Sequence, residues 1–155
     1  MTYHLLLWLH IIGATLLLGT GAGIAFFMVM AHHTRDPAVV AHVAATVVVA
    51  DFLFTATAVV AQPITGAALM AIQGWPSSTP WIALALILYG VIGLFWIPVV
   101  FMQIRMRNLA RTAVAEGRSL PPAYHRLYRR WFMFGFPAFF ALLAILWLMA
   151  TKPDL

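Results

Sequence analysis

The sequence contains no cysteine. That absence removes disulfides, thiolate zinc sites, iron–sulfur clusters and covalent c-type haem attachment, and leaves only noncovalent cofactors held by His, Met or polar side chains. Charge is scarce too: Asp, Glu, Lys and Arg make up 8% of the 155 residues, against roughly a quarter in a soluble domain. With 64% hydrophobic residues the chain cannot coat itself for water, so lipid has to be the solvent for most of it. No signal peptide is expected either. Met1-Thr2-Tyr3-His4 has no basic n-region, and the apolar run behind it outlasts an h-region of about 7–15 residues, so it reads as a retained first span.

What is present is a set of long apolar runs. A bilayer core of about 30 Å takes about 20 apolar residues in a helix. Runs of that size cover about 5–30, 47–72, 81–102 and 131–150, the second with a helical lead-in near Pro37–Ala45. Backbone exposed to lipid has to satisfy its own hydrogen bonds, which selects helices. The expected fold is an all-α four-transmembrane-helix bundle, a single domain over 1–155. No soluble catalytic domain fits in the remainder, so chemistry belongs inside the bundle or at its rim.

Arginine placement predicts the orientation. The connection after the third span carries Arg105, Arg107, Arg111, Arg118, Arg126, Arg129 and Arg130, and the first connection adds Arg35. The connection at Gly74-Trp75-Pro76-Ser77-Ser78-Thr79-Pro80 carries no charge. The expectation is N-out/C-out in a bacterial inner membrane, with the basic loop cytoplasmic. This rule accounts for the formal net charge of +5 without nucleic acid, and anionic lipid headgroups are the expected partners of the arginines. Trp8, Trp75, Trp81 and Trp147 fall near the outer ends of spans, and Tyr128 and Trp131 near the inner interface.

His10 is the sharpest single feature. It lies six residues into the first span, roughly 9 Å below the outer surface by helical rise. Ionisable groups at that depth face the bundle interior and mark function by default. Gly13, one turn on, would leave space for a flat macrocycle, and imidazole is a common axial ligand of haem iron. An imidazole hydrogen-bonded across helices, with glycines permitting close approach, accounts for the same residues. A second axial ligand at similar depth would be Met70 or Met149, since the remaining histidines lie elsewhere.

The second span carries Asp51, Gln62-Pro63 and Thr65-Gly66. Pro63 has no amide to bond the carbonyl of Val59, and Gln62, Thr65 and that freed carbonyl are expected to line a polar pocket for a quinone, a porphyrin edge or water. A packing hydrogen bond beside a proline kink is the plainer account. Asp51 is expected to pair with Arg105, Arg129, Arg130 or His42, with proton transfer as the alternative role. His32, His33, His42 and His125 match no metal-ligand spacing. Pro98 and Pro137 predict further bends.

The segments "WLHIIGA", "ADFLFTATAVVAQPITG", "LPPAYHRLYRRWFMFGFPAF" and "LWLMATKP" cover most of the chain and resemble a family of bacterial four-helix integral membrane proteins of unknown function. More distantly the chain is similar to HemJ-type protoporphyrinogen oxidases and CopD-type copper-resistance membrane proteins. The HemJ resemblance implies a haem-associated histidine at His10. It departs where an arginine late in span one is replaced by Ala25-Phe26-Phe27 and where the span-two methionine falls near Val59.

Together these readings predict a small redox-associated membrane protein binding b-type haem or quinone, alone or as a membrane subunit of an oxidoreductase. The expected cofactor residues are His10, Gln62, Thr65 and Met70, with His10 as iron ligand, in the outer half. A non-catalytic anchor or assembly partner is the alternative, and a transporter or copper-handling protein the second. Glycine faces at Gly13/Gly21 and Gly90/Gly93 would permit a homo-oligomer or intramolecular packing.

Overall fold

A computed structural model describes residues 1–154 and folds them into helices α1 (Thr2–Thr34), α2 (Pro37–Ala50), α3 (Ala56–Gln73), α4 (Pro80–Ala115) and α5 (Pro122–Thr151). A π-helical turn, Asp51–Thr55, joins α2 to α3 without a break, so the two act as one spanning element, Pro37–Gln73. Four elements are therefore long and apolar enough to cross a membrane. The chain is an integral membrane protein of four spans, with both termini and the Gly74–Thr79 connection at one end and the arginines at the other.

Local chemistry sets the helix ends. Arg35 takes the left-handed conformation (φ 56°) that stops α1, and the Asp36 carboxylate then accepts the Ala38 amide at 2.8 Å to cap α2, with Pro37 at its first position. Gly74 (φ 68°) closes α3 and Gly117 (φ 61°) turns the chain after α4, positions where a side chain would be strained. At the terminal end Lys152 lies over the Trp75 ring, 4.6 Å from its centroid, and ties the end of α5 to the α3–α4 connection.

The basic connection is shorter than the expected loop over 103–130. α4 runs on to Ala115 and α5 starts at Pro122, so most of that segment is helix. At about 1.5 Å per residue the 36-residue α4 is roughly 54 Å long, well beyond an apolar core of about 30 Å. The overhang is where the molecule packs best. Met28, Val40, Met106 and Tyr124 are fully buried there in a cluster completed by Ile24, Ala44, Trp131 and neighbours. A smaller cluster, Trp81, Ile82, Ala85 and Leu148, closes the terminal end. Trp131 is buried inside the larger cluster, not at an interface as its position in the sequence suggests. Between the clusters large apolar side chains such as Leu94, Ile87 and Phe140 face outward, as lipid contact allows. α4 and α5 share the most extensive contact, and α1 and α5 touch only sparingly.

Candidate functional site

Two polar centres occupy the spans. The first joins α1 to α3 in the terminal half. Thr65 donates its hydroxyl to the Ala61 carbonyl at 2.8 Å, so the 2.8 Å contact between His10 Nδ1 and Thr65 Oγ1 has the imidazole N–H as donor. In the neutral ring Nε2 then keeps its lone pair. Gln62 donates from Nε2 to the His10 carbonyl at 2.8 Å. Gly13 explains how the helices come this close, whereas Gly66 leaves room for an ordinary contact. A Cβ on Gly13 would stand 2.3 Å from Gln62 Nε2, and one on Gly66 would stand 3.4 Å from His10 Cε1.

His10, Gln62 and Thr65 are thus brought together as the sequence reading has them. Met70 is not: it packs against the Trp81 cluster with Met149. The space beside Gly13 holds the Gln62 amide and not room for a macrocycle. The Val59 carbonyl freed by Pro63 accepts a hydrogen bond from the Tyr89 hydroxyl of α4. It is satisfied across helices and does not face a pocket shared with Gln62.

The second centre surrounds a cavity of about 390 Å³ in the middle and basic half of the bundle. Its floor is polar. Asp51, 3% exposed, accepts from Trp96 Nε1 at 3.2 Å on one carboxylate oxygen. Gln103, 1% exposed, satisfies its surroundings in one amide orientation, donating to the other Asp51 oxygen at 3.1 Å and accepting from Trp131 Nε1 at 3.3 Å. No arginine and no histidine is paired with Asp51 among the described residues, which corrects the expected ion pair. The arginines lie on the overhang, and neutral N–H donors meet the carboxyl instead.

Thr55 completes the floor. Its hydroxyl is buried next to the Asp51 carboxyl and makes no hydrogen bond of ordinary geometry among the described residues. A helical threonine ordinarily gives its hydroxyl to a carbonyl three or four residues back. Here the π turn hands the Asp51 carbonyl to the Ala56 amide, and the Thr55 hydroxyl is left to the cavity. Such turns are rare and frequent at functional sites. The walls are apolar and largely flat: Trp96, Trp131, Phe132, Phe136 and Phe139, with Leu17, Ile24 and Val99. Gly21 and Gly135 widen it, since nothing lies within 4 Å of where their Cβ atoms would be.

The expected cofactor position in the outer half therefore differs from the position of the cavity. Thr55 carries no sequence signal beyond its spacing of four from Asp51. The signal that was available is Asp51 itself, the one acidic residue within the four apolar runs.

A family model described as "Predicted integral membrane protein (DUF2269)" matches residues 4–153. No curated protein and no solved structure matches the chain.

Proposed function

The chain belongs to this family of predicted integral membrane proteins, and from that premise we propose that it holds a quinone-type ring in the cavity above Asp51 and Thr55. It would do so as a small redox-associated protein of the bacterial cytoplasmic membrane, alone or as the membrane subunit of an oxidoreductase, with both termini outside. The observation that carries the reading is the Thr55 hydroxyl, buried with no hydrogen bond of ordinary geometry beside a carboxyl that no cation neutralises. A buried hydroxyl left unpaired costs about 1–3 kcal/mol, and a ligand carbonyl in the cavity would recover it. Flat aromatic walls suit a planar ring, and the volume falls in the range of about 300–1,000 Å³ typical of small-molecule sites. Asp51 offers the acceptor that the reduced, hydroxyl-bearing form of such a ring requires.

Haem finds less support. His10 presents a free Nε2, which suits axial ligation, but its surroundings are filled helix against helix, and Met70 lies in another cluster.

The test is to purify the protein in mild detergent, extract it and count quinone per chain, with oxidised and reduced absorption spectra on the same sample. The expected result is near-stoichiometric quinone. Thr55→Val and Gly135→Leu, the second filling open space, should each lower occupancy about tenfold or more while helix content and melting are kept. Wild-type protein that neither retains quinone nor takes it up saturably sinks the proposal. A Soret band lost in His10→Ala would do the same by moving the cofactor to the terminal half.

A further inference from the structure

The cavity has one open side. On α1 the lining residues Gly21, Ala22 and Ala25 are exposed, and on α5 Phe132, Phe136 and Phe139 are 42%, 47% and 36% exposed. The floor opposite is closed, with Asp51, Thr55, Gln103 and Trp131 all buried. The opening therefore lies along the seam between α1 and α5, which touch only sparingly. Toward the basic end the way is blocked by Ile24, Met28, Tyr124, Tyr128 and Trp131, which pack as one cluster with Met28 and Tyr124 fully buried. Every side chain at the seam is apolar or glycine, so in a bilayer the opening faces hydrocarbon, not water.

We infer that the ligand is a tailed lipid that enters sideways from the bilayer, with its polar ring inward at Thr55 and Asp51 and its hydrocarbon tail lying out between α1 and α5. This rests on the quinone reading and narrows it to membrane-dissolved quinones with long isoprenoid tails. Polar groups sit only at the far wall, so the ring goes in first and the tail is left at the seam. A tail gains little by moving from one apolar phase to another, and an enclosed pocket of this volume would have to coil it. An open seam lets it stay in lipid.

Occupancy is measured in lipid discs for a benzoquinone with a long isoprenoid tail and for the same ring without one, by affinity capture and extraction. The variant is Ala22→Phe, which adds bulk at an exposed rim position; Ala25→Leu serves the same purpose if the first does not fold. The wild type should saturate with both compounds. The variant should lose the tailed quinone tenfold or more and keep the tail-less ring within about twofold. Equal loss of both, or loss of neither, overturns passage of the tail through the seam while leaving the quinone site standing. Binding of neither compound by the wild type overturns the quinone site itself.

Discussion

At Gly13 a methyl group has nowhere to go unless Gln62 moves. The amide nitrogen would be 2.3 Å from the new Cβ, and it is the donor to the His10 carbonyl. Gly13→Ala should therefore break that hydrogen bond and push α1 from α3, lowering unfolding free energy by about 1–2 kcal/mol, since intramembrane side-chain hydrogen bonds are worth about 0.6–1.7 kcal/mol and close packing is lost with them. In a Gln62→Ala background the same substitution should cost almost nothing. A double-mutant cycle from reversible unfolding in detergent measures the coupling; additive costs would show that Gly13 matters for another reason. The sequence makes His10, Gln62 and Thr65 conspicuous because polar groups at that depth need partners. It does not say that those partners are one another, and so a free ligand site and a helix clamp read alike until distances are known. Thr55 is illegible for the opposite reason: an intrahelical hydroxyl normally satisfies itself on the preceding turn, and here that turn is a π turn whose Asp51 carbonyl goes to the Ala56 amide.

The four spans and the start of α2 at Pro37 are legible, because hydrophobic length and a proline-led helix start are local properties; the polar extensions of α4 to Ala115 and of α5 back to Pro122 are not, since they lie outside the apolar runs. The π turn was not, since nothing in Asp51-Phe52-Leu53-Phe54-Thr55 departs from ordinary helical sequence. Nor was the way α1 docks on α5 at the basic end. His32, just past the last apolar residue of its span, stacks on Tyr128 with centroids 3.6 Å apart and planes 8° apart, and its Nδ1 lies 3.4 Å from the Tyr124 hydroxyl. Burial first, then His125, His33 and Arg35, hold its pKa below the ordinary histidine value. The unfolded chain therefore takes up the proton at a higher pH than the folded one. Stability is unaffected while both forms are neutral, falls as pH drops through the ordinary value near 6.5, and levels off once the folded form is protonated too. Melting midpoints followed from about pH 7.5 to 5 should decline modestly, because the ring is only partly covered. His32→Phe keeps a flat ring on Tyr128 and should remove part of that decline. An unchanged pH profile in the variant would place the dependence on other groups.

Taken as a whole, the molecule is tight at both ends and open between them, and its charge is as unevenly spread as its packing. Eight of the nine Lys and Arg residues lie in the first and third connections, and the overhanging turns of α4 and α5 carry most of them away from the apolar core. Membrane insertion keeps such clusters on the cytoplasmic side, where anionic headgroups also draw them. The folded chain has both termini at the opposite end, so the charge bias and an even number of spans agree on where they should be. A periplasm-active alkaline phosphatase fused after Lys152 should be active, and one inserted at Gly117 inactive; a fluorescent reporter that matures only in the cytoplasm should give the reverse pattern. Replacing Arg105, Arg107, Arg111, Arg126, Arg129 and Arg130 together by Gln should erode the difference, leaving a mixed population with part of the Lys152 fusion inside. If the pattern persists after that change, orientation is held by the packing of the helices and not by the arginines. If the wild type itself shows an active Gly117 fusion, the basic end faces outward, and the seam between α1 and α5 would still open to lipid at the same depth from the arginines but nearer the other leaflet.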